Sequence, residues 1–475
     1  MENSPGIWNV ALDLWRAEQE GSTGIARRQA SRFRELFTHA RRFSPFYSRL
    51  YRDWPSEGFR HCDLPVVNKS ELMSAFDDWP TDRGITRAGI EAFIADPSLL
   101  ATPYLNKYFI STSAGTTGLA GLYVSDFRAI NVYRAIGLAR VERAWIDTAA
   151  WLRMAQRKFR WAAVLCTGGH YAGSGWIELE RRRDLFRAHA FRVFSIQQPL
   201  ADLVAALEAF DPAMLTGYPS VLKLLAEEQA AGRLDLKPAL LECAGESISL
   251  DTIAQIESAF GCSVRNLYSA SEFIPIAFSC DHEWLHVNSD WVILEPVDEN
   301  FRPTPPDVAS HTVLLTNLAN WTQPLIRYDL GDSIVARSQP CPCGSRLPAV
   351  RVAGRHDDVL HLHGADGAVV KILPLAIGTV LEETPGVHRS QLIQTGPATI
   401  HLRLELLSGA DSEKAWRAAI ARLKNYLAQQ HLANVELVCA SDPPEQSVRS
   451  GKFRQVIAQS RTCLMETRTR SDPSL

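Results

Sequence analysis

Ser111-Thr112-Ser113-Ala114-Gly115-Thr116-Thr117-Gly118 is the stretch whose reading decides the rest of the chain. Tyr108, Phe109 and Ile110 before it read as a short apolar strand, and from Leu122 to Arg140 apolar residues recur at helical spacing. Between them lies a loop of hydroxyls and glycine with almost no bulk. Such a loop can turn backbone N–H groups and Ser and Thr hydroxyls onto one anionic guest. Gly115 and Gly118 allow a close approach that a Cβ would block. The guest this suggests is a triphosphate. Taken alone, the stretch reads as a Ser/Thr-rich surface turn. It lacks the Gly-Lys-Ser/Thr ending of the common P-loop, so it is not that nucleotide fold.

Length and composition bound what the loop can belong to. The 475 residues exceed one ordinary core, so two or more domains are expected. A hydrophobic fraction of 46% with 22% charged residues is an ordinary globular balance. A net charge of −3 leaves no polyanion footprint, which argues against nucleic acid as a partner. No apolar run reaches the roughly 18 residues of a membrane helix, so no membrane partner is expected. Met1-Glu2-Asn3-Ser4-Pro5 has neither the basic region nor the apolar core of a signal peptide. The nine cysteines are too scattered for a disulfide framework, so a reducing cytoplasmic setting is expected, with any clustered cysteines serving a metal.

Residues 26–51 are basic and amphipathic, with Phe33, Leu36, Phe37, Ala40, Phe43, Phe46, Tyr47 and Tyr51 at helical spacing. Leu64 to Leu72 reads as a turn into another helix. From residue 160 strands and helices alternate: apolar strands end at Gly168-Gly169-His170-Tyr171, Ile196, Tyr218-Pro219-Ser220, Gly245-Glu246 and Tyr268, with helices after the second, third and fourth. This alternation predicts an α/β fold with a largely parallel sheet flanked by helices. Ligands of such sheets sit beyond the carboxyl ends of the strands, so those clusters should converge on one crevice. Residues 287–337 turn β-rich, with Leu325 to Ala336 read as one β segment. Past Gly354-Arg355 short strands and a charged helix from about Ser412 to Gln430 predict a small α+β domain. The expected division is 1–355 and 356–475.

Further segments carry chemistry in a fixed order. They are Asn266-Leu267-Tyr268-Ser269-Ala270-Ser271-Glu272, Arg327-Tyr328-Asp329-Leu330-Gly331-Asp332, Gly354-Arg355-His356-Asp357-Asp358 and Ser450-Gly451-Lys452-Phe453-Arg454. Singly these read as a strand end, a capped hairpin turn, a loop and an exposed lysine. Together with the hydroxyl-rich loop, in this order, they resemble the acyl-adenylate-forming enzymes, whose phosphate loop reads close to Thr-Ser-Gly-Thr-Thr-Gly.

That resemblance implies roles residue by residue. Ser111, Thr112, Ser113, Gly115, Thr116, Thr117 and Gly118 would hold the ATP phosphates. Tyr268 would lie along the adenine with Asn266 near its edge, and Ser269 stands where the family has Gly. Glu272 would hold Mg²⁺, a hard cation suited to carboxylate and phosphate oxygens. Asp332 would accept hydrogen bonds from the ribose hydroxyls. Arg355 would reach ribose and phosphates, Asp357 would be the hinge of a rotating small domain, and Lys452 would stabilise charge during adenylation. Leu119-Ala120-Gly121 replaces a Lys/Pro-containing sequel, which removes one phosphate contact.

Within the superfamily, Gly245-Glu246, Tyr218-Pro219-Ser220 and Cys341-Pro342-Cys343-Gly344 resemble the phenylacetate–coenzyme A ligase branch. It implies an aryl or heteroaryl acid, with Gly245 and Glu246 in the nucleotide site and coenzyme A as acceptor. His170, Tyr171 and Tyr218 are candidate acyl contacts, His170 reading equally as a structural histidine. Cys280, His286, Cys341 and Cys343 are spaced for a closed, structural Zn²⁺ site, with His282 as the competing nitrogen ligand. The expected function is an acid–thiol ligase. Two readings stay open: transfer of the acyl group to a carrier protein, amine or other nitrogen nucleophile in biosynthesis, and a degenerate relative that only binds nucleotide or acyl ligand. The acid and the oligomeric state are not readable.

Overall fold

The protein is described from a computed structural model. The structure describes residues 6–55, 57–113, 121–183, 188–246, 248–353, 359–382, 384–407, 409–445 and 455–458. Gly115, Thr116, Thr117, Gly118, Arg355, Asp357 and Lys452 lie outside the described residues. The chain divides into two compact units, the larger taking residues up to 353 without 196–203, the smaller taking 196–203 and 359 onward.

The larger unit is built on a nine-stranded mixed sheet. Its parallel run is Val264–Ala270, Leu240–Ala244, Met214–Gly217, Trp161–Leu165 and Phe191–Ser195. The three central strands of this run, Leu240–Ala244, Met214–Gly217 and Trp161–Leu165, are short and almost wholly buried, which explains why they read as apolar runs without alternation. Helices Ala172–Arg183, Pro219–Ala230 and Leu250–Phe260 make the connections. Pro219 supplies the first turn of one, and Ser249 caps another by accepting from Thr252 N. Beyond Val264–Ala270 the sheet turns antiparallel through Phe273–Ser279, Leu285–Val287, Ala349–Val352 and Ile334–Ala336. The mixed α/β architecture with helices over the sheet is the one expected.

Two stretches differ from expectation. Leu122 does not begin a helix. Leu122–Asp126 is a buried strand paired antiparallel with Tyr108–Thr112, so the hydroxyl-rich loop closes a hairpin. The helix starts at Phe127, because Asp126 caps it through Ala129 N at 2.8 Å. The segment Leu325 to Ala336 is not one β element either. Tyr328–Asp329 joins the three-stranded sheet with Val292–Val297 and Thr312–Asn317, whereas Ile334–Ala336 joins the large sheet. The break falls at Gly331, whose φ of 76° redirects the chain.

The aromatic N-terminal helices Gly21–Phe43 and Pro45–Leu50 pack inward through Phe33, Leu36, Phe37, Tyr47 and Tyr51. After them, Val67 pairs with the Tyr328 strand: Val67 N donates to Arg327 O at 3.1 Å and Asp329 N donates to Val67 O at 2.9 Å. Asn68 and Glu71 then form a capping box that starts the short helix Lys69–Ser74.

The smaller unit holds a four-stranded sheet of Glu436–Cys439, Thr399–Leu406, Val387–Gly396 and Val456–Ile457, a hairpin of Leu360–His363 with Val369–Ile372, and helices Pro374–Glu382 and Ser412–Gln429. Among the described residues no helix is long and apolar enough to cross a membrane.

Candidate functional site

The hairpin end is tied into the sheet by backbone. Thr112 N donates to His170 O at 2.7 Å, and Ser271 Oγ donates to Thr112 O at 3.4 Å. Thr112, the strand end at His170–Tyr171 and the Ser271-Glu272 turn are therefore neighbours, although 159 positions separate Thr112 from Ser271. Ser111 is buried opposite Tyr123 in the hairpin register. Ser113 closes the loop base: its N–H donates to Gly121 O at 3.0 Å and its Oγ accepts from Gly121 N at 2.9 Å.

The Ser113 hydroxyl also accepts from Lys69 Nζ at 3.0 Å. The pairing of Val67 with the Tyr328 strand and the capping box that follows put Lys69 there. Sequence reading missed this cation, because nothing local to Lys69 signals a partner 44 positions away.

Glu272 is half-buried among tyrosines. Tyr123 Oη donates to Glu272 Oε1, Tyr328 Oη donates to the same oxygen at 3.0 Å, and the two hydroxyls lie 3.1 Å apart. Burial first, and then the charge of Glu272, raise both phenols well above the ordinary tyrosine range, so both are hydroxyl donors at neutral pH. The Oε2 oxygen takes no hydrogen bond from a described residue, and a carboxylate oxygen is the hard ligand that a divalent cation such as Mg²⁺ prefers.

Tyr268 Oη donates to Asp332 Oδ2 at 2.9 Å, which brings the second and third sequence segments together. Ser269 lies where the strand register shifts between Tyr268 and Ala270, and Asn266 N donates to Ser279 Oγ at 2.9 Å. Glu246 does something the sequence did not suggest. Its carboxylate accepts from Ser220 N and Ser220 Oγ, both at 2.9 Å, and so caps helix Pro219–Ala230. Gly245, with φ of 81°, leaves room for the Tyr218 ring, which a Cβ would meet at 2.9 Å. Tyr218 is held by Cys166 N at 3.4 Å. The His170 ring packs on Phe93, with Nε2 3.1 Å from Asp96 O and Nδ1 buried without a partner among the described residues, and burial lowers its pKa. Tyr171 bridges to Thr112.

Cys280, His286, Cys341 and Cys343 form a separate cluster whose ligand atoms all lie within 4.8 Å of one another. Cys280 Sγ is 3.6 Å from Cys341 Sγ, and Cys343 Sγ is 3.1 Å from His286 Nε2. Thiolates about 2.3 Å from a tetrahedral zinc sit about 3.7 Å apart, so the donor set fits that ion. His286 Nδ1 lies 3.4 Å from Leu347 O, which turns Nε2 to the thiols. His282 is not part of the cluster. Its backbone N–H donates to Cys280 Sγ at 3.4 Å.

The chain has the fold of the acyl-adenylate-forming ligases. A structure of 2-hydroxyisobutyryl-CoA ligase in complex with 2-HIB-AMP and CoA in the thioesterification state superposes with a TM-score of 0.56 at 21% identity, covering 93% of this chain and 92% of that one. The same ligase in the postadenylation state with 2-HIB-AMP gives 0.51 at 20% identity, over 94% and 91%. In sequence, the protein CapK of Staphylococcus aureus is 26% identical over 399 residues, 81% of this chain and 79% of that protein. No family model matches the chain.

Proposed function

We propose that the protein activates a carboxylic acid with Mg·ATP to an acyl-adenylate, releasing pyrophosphate, and passes the acyl group to coenzyme A. The observation that carries this reading is the convergence of Ser113, Glu272 and the Tyr268–Asp332 pair, drawn from distant segments, on the fold of adenylate-forming ligases. The adenylate and CoA held by the structural neighbour support the same two steps.

In this reading Tyr268 and Asp332 hold adenine and ribose. Ser113 and the loop after it hold the phosphates, with Lys69 supplying the cation that Leu119-Ala120-Gly121 does not. Glu272 holds Mg²⁺, which when bound offsets phosphate charge. The substrate carboxylate is itself the nucleophile and AMP a competent leaving group, so no general base is required. Lys452 would stabilise the reacting phosphate, Arg355 would reach ribose and phosphates, and rotation of a small domain about Asp357 would bring the thiol to the adenylate. Gly245 and Glu246 would shape the nucleotide pocket from behind, through the helix that Glu246 caps. His170, Tyr171 and Tyr218 would border the acyl group, and the acid would be aryl or heteroaryl. The cysteine–histidine cluster would hold a structural zinc joining hairpin 280–286 to the 341–343 turn.

The test is pyrophosphate release from Mg·ATP across aryl, hydroxy and aliphatic acids, with and without coenzyme A. Turnover that yields a thioester supports the ligase. Release without thioester moves the acceptor to an amine or carrier protein. ATP binding with no acid-dependent turnover across the panel would overturn the proposal.

A further inference from the structure

We propose that Tyr123 and Tyr328 are positioning residues for Glu272: they grip one carboxylate oxygen so that the other faces a divalent cation on the nucleotide. The inference rests on the adenylation reading above and adds to it the means by which the cation ligand is held.

The two phenols arrive from different elements. Tyr123 stands in the hairpin strand Leu122–Asp126 and Tyr328 in the strand Tyr328–Asp329 of the three-stranded sheet. Both donate to Oε1, and Oε2 is left without a hydrogen bond among the described residues. The main chain is held as well, since Asn317 Nδ2 donates to Glu272 O at 2.8 Å. A carboxylate fixed at one oxygen by two rigid donors loses little freedom when the other oxygen takes a metal. The chemistry of the donors matters too. An arginine or lysine in their place would fix the carboxylate but cancel its charge, whereas neutral hydroxyls orient it and leave the charge for the cation.

The sequence around the hairpin accommodates this clamp. A Cβ on Gly121 would lie 2.5 Å from the Tyr123 ring and 2.7 Å from its hydroxyl. The glycine that departs from the family pattern is therefore what lets the ring lie across the hairpin. Trp79, itself fully buried, closes the other side edge-on at 6.5 Å.

The experiment compares wild type with Tyr123→Phe, Tyr328→Phe, the double variant and Glu272→Gln. The first readout is the Mg²⁺ concentration giving half-maximal pyrophosphate release at saturating ATP and acid. The second is Mn²⁺ binding to the protein with ATP by electron paramagnetic resonance, which needs no turnover. Each Phe variant should raise the half-maximal Mg²⁺ concentration and weaken Mn²⁺ binding by about tenfold, and the double variant by more. Rates at saturating Mg²⁺ should recover to within a few-fold. Rates lowered equally at every Mg²⁺ concentration, or a lowered melting temperature with metal binding intact, would make the tyrosines mere scaffold and overturn the proposal. A wild-type protein that neither binds Mn²⁺ with ATP nor releases pyrophosphate overturns the adenylation reading itself. Unchanged Phe variants of an active wild type overturn only the clamp.

Discussion

Glu242→Gln should stabilise this protein at alkaline pH far more than at acid pH. Glu242 lies in the middle of the parallel run, 7% exposed. Its Oε2 accepts from Thr216 Oγ1 at 3.3 Å, and Thr216 accepts from Trp161 Nε1 at 2.7 Å. Arg265 occupies the adjacent register position but turns to Asp281 at 2.5 Å, so no cation among the described residues answers the carboxylate. Burial first, with a smaller push from Glu142, takes its pKa from 4.5 to about 7. A carboxyl raised in the folded state favours folding below pH 4.5, and that advantage is lost as pH rises to about 7. At about 1.4 kcal/mol per pH unit, the separation amounts to about 3 kcal/mol, all of it felt as a penalty by pH 8. Glutamine keeps the shape and an acceptor for Thr216 without the charge. Thermal unfolding of both proteins at pH 5.5 and pH 8 measures the effect: the variant's gain should be small at the first pH and larger at the second by about 2 kcal/mol. An equal difference at both values would refute the argument that burial chiefly sets the state of this carboxyl.

Three further outcomes follow from other contacts. Arg140 and Asp290 form a fully buried pair at 2.7 Å, so Asp290→Asn, which leaves the buried guanidinium with Glu18 at 3.1 Å as its remaining carboxylate partner, should cost up to about 3–5 kcal/mol in urea unfolding, while breaking a surface pair such as Arg87–Glu91 should cost almost nothing. Purified protein should carry about one zinc per chain, and Cys341→Ser should lose the metal and lower the melting temperature; well under one zinc in wild type sinks the structural-zinc reading. Lys69→Met should raise the KM for ATP by about tenfold or more through loss of a charge-assisted contact, with Lys69→Arg retaining part of it, and an unchanged KM would remove Lys69 from the phosphate site.

What the sequence determined by itself was what depends on neighbours along the chain. The alternation after residue 160 points to a parallel sheet, because short apolar runs bounded by helical segments are too short for buried helices and suit buried strands. Gly331 with Asp332 and Gly245 with Glu246 announce turns at strand ends, since a residue with positive φ ends a run wherever it falls. The pairing of cysteines with His286 rather than His282 already needed the fold: only the hairpin between Phe273–Ser279 and Leu285–Val287 decides which imidazole turns inward. Leu122–Asp126 misled because its apolar spacing satisfies a helix as well as a strand, and the pairing with Tyr108–Thr112 across the loop breaks the tie. Tertiary structure alone decided what surrounds the candidate site residues. Lys69 meets Ser113, Tyr123 and Tyr328 meet Glu272, and Glu246 turns to a helix end, each through a contact between distant segments. A side chain's type can be read from its neighbours in the chain, but its partner is set by the register of strands and the caps of helices that bring distant segments within a few ångströms.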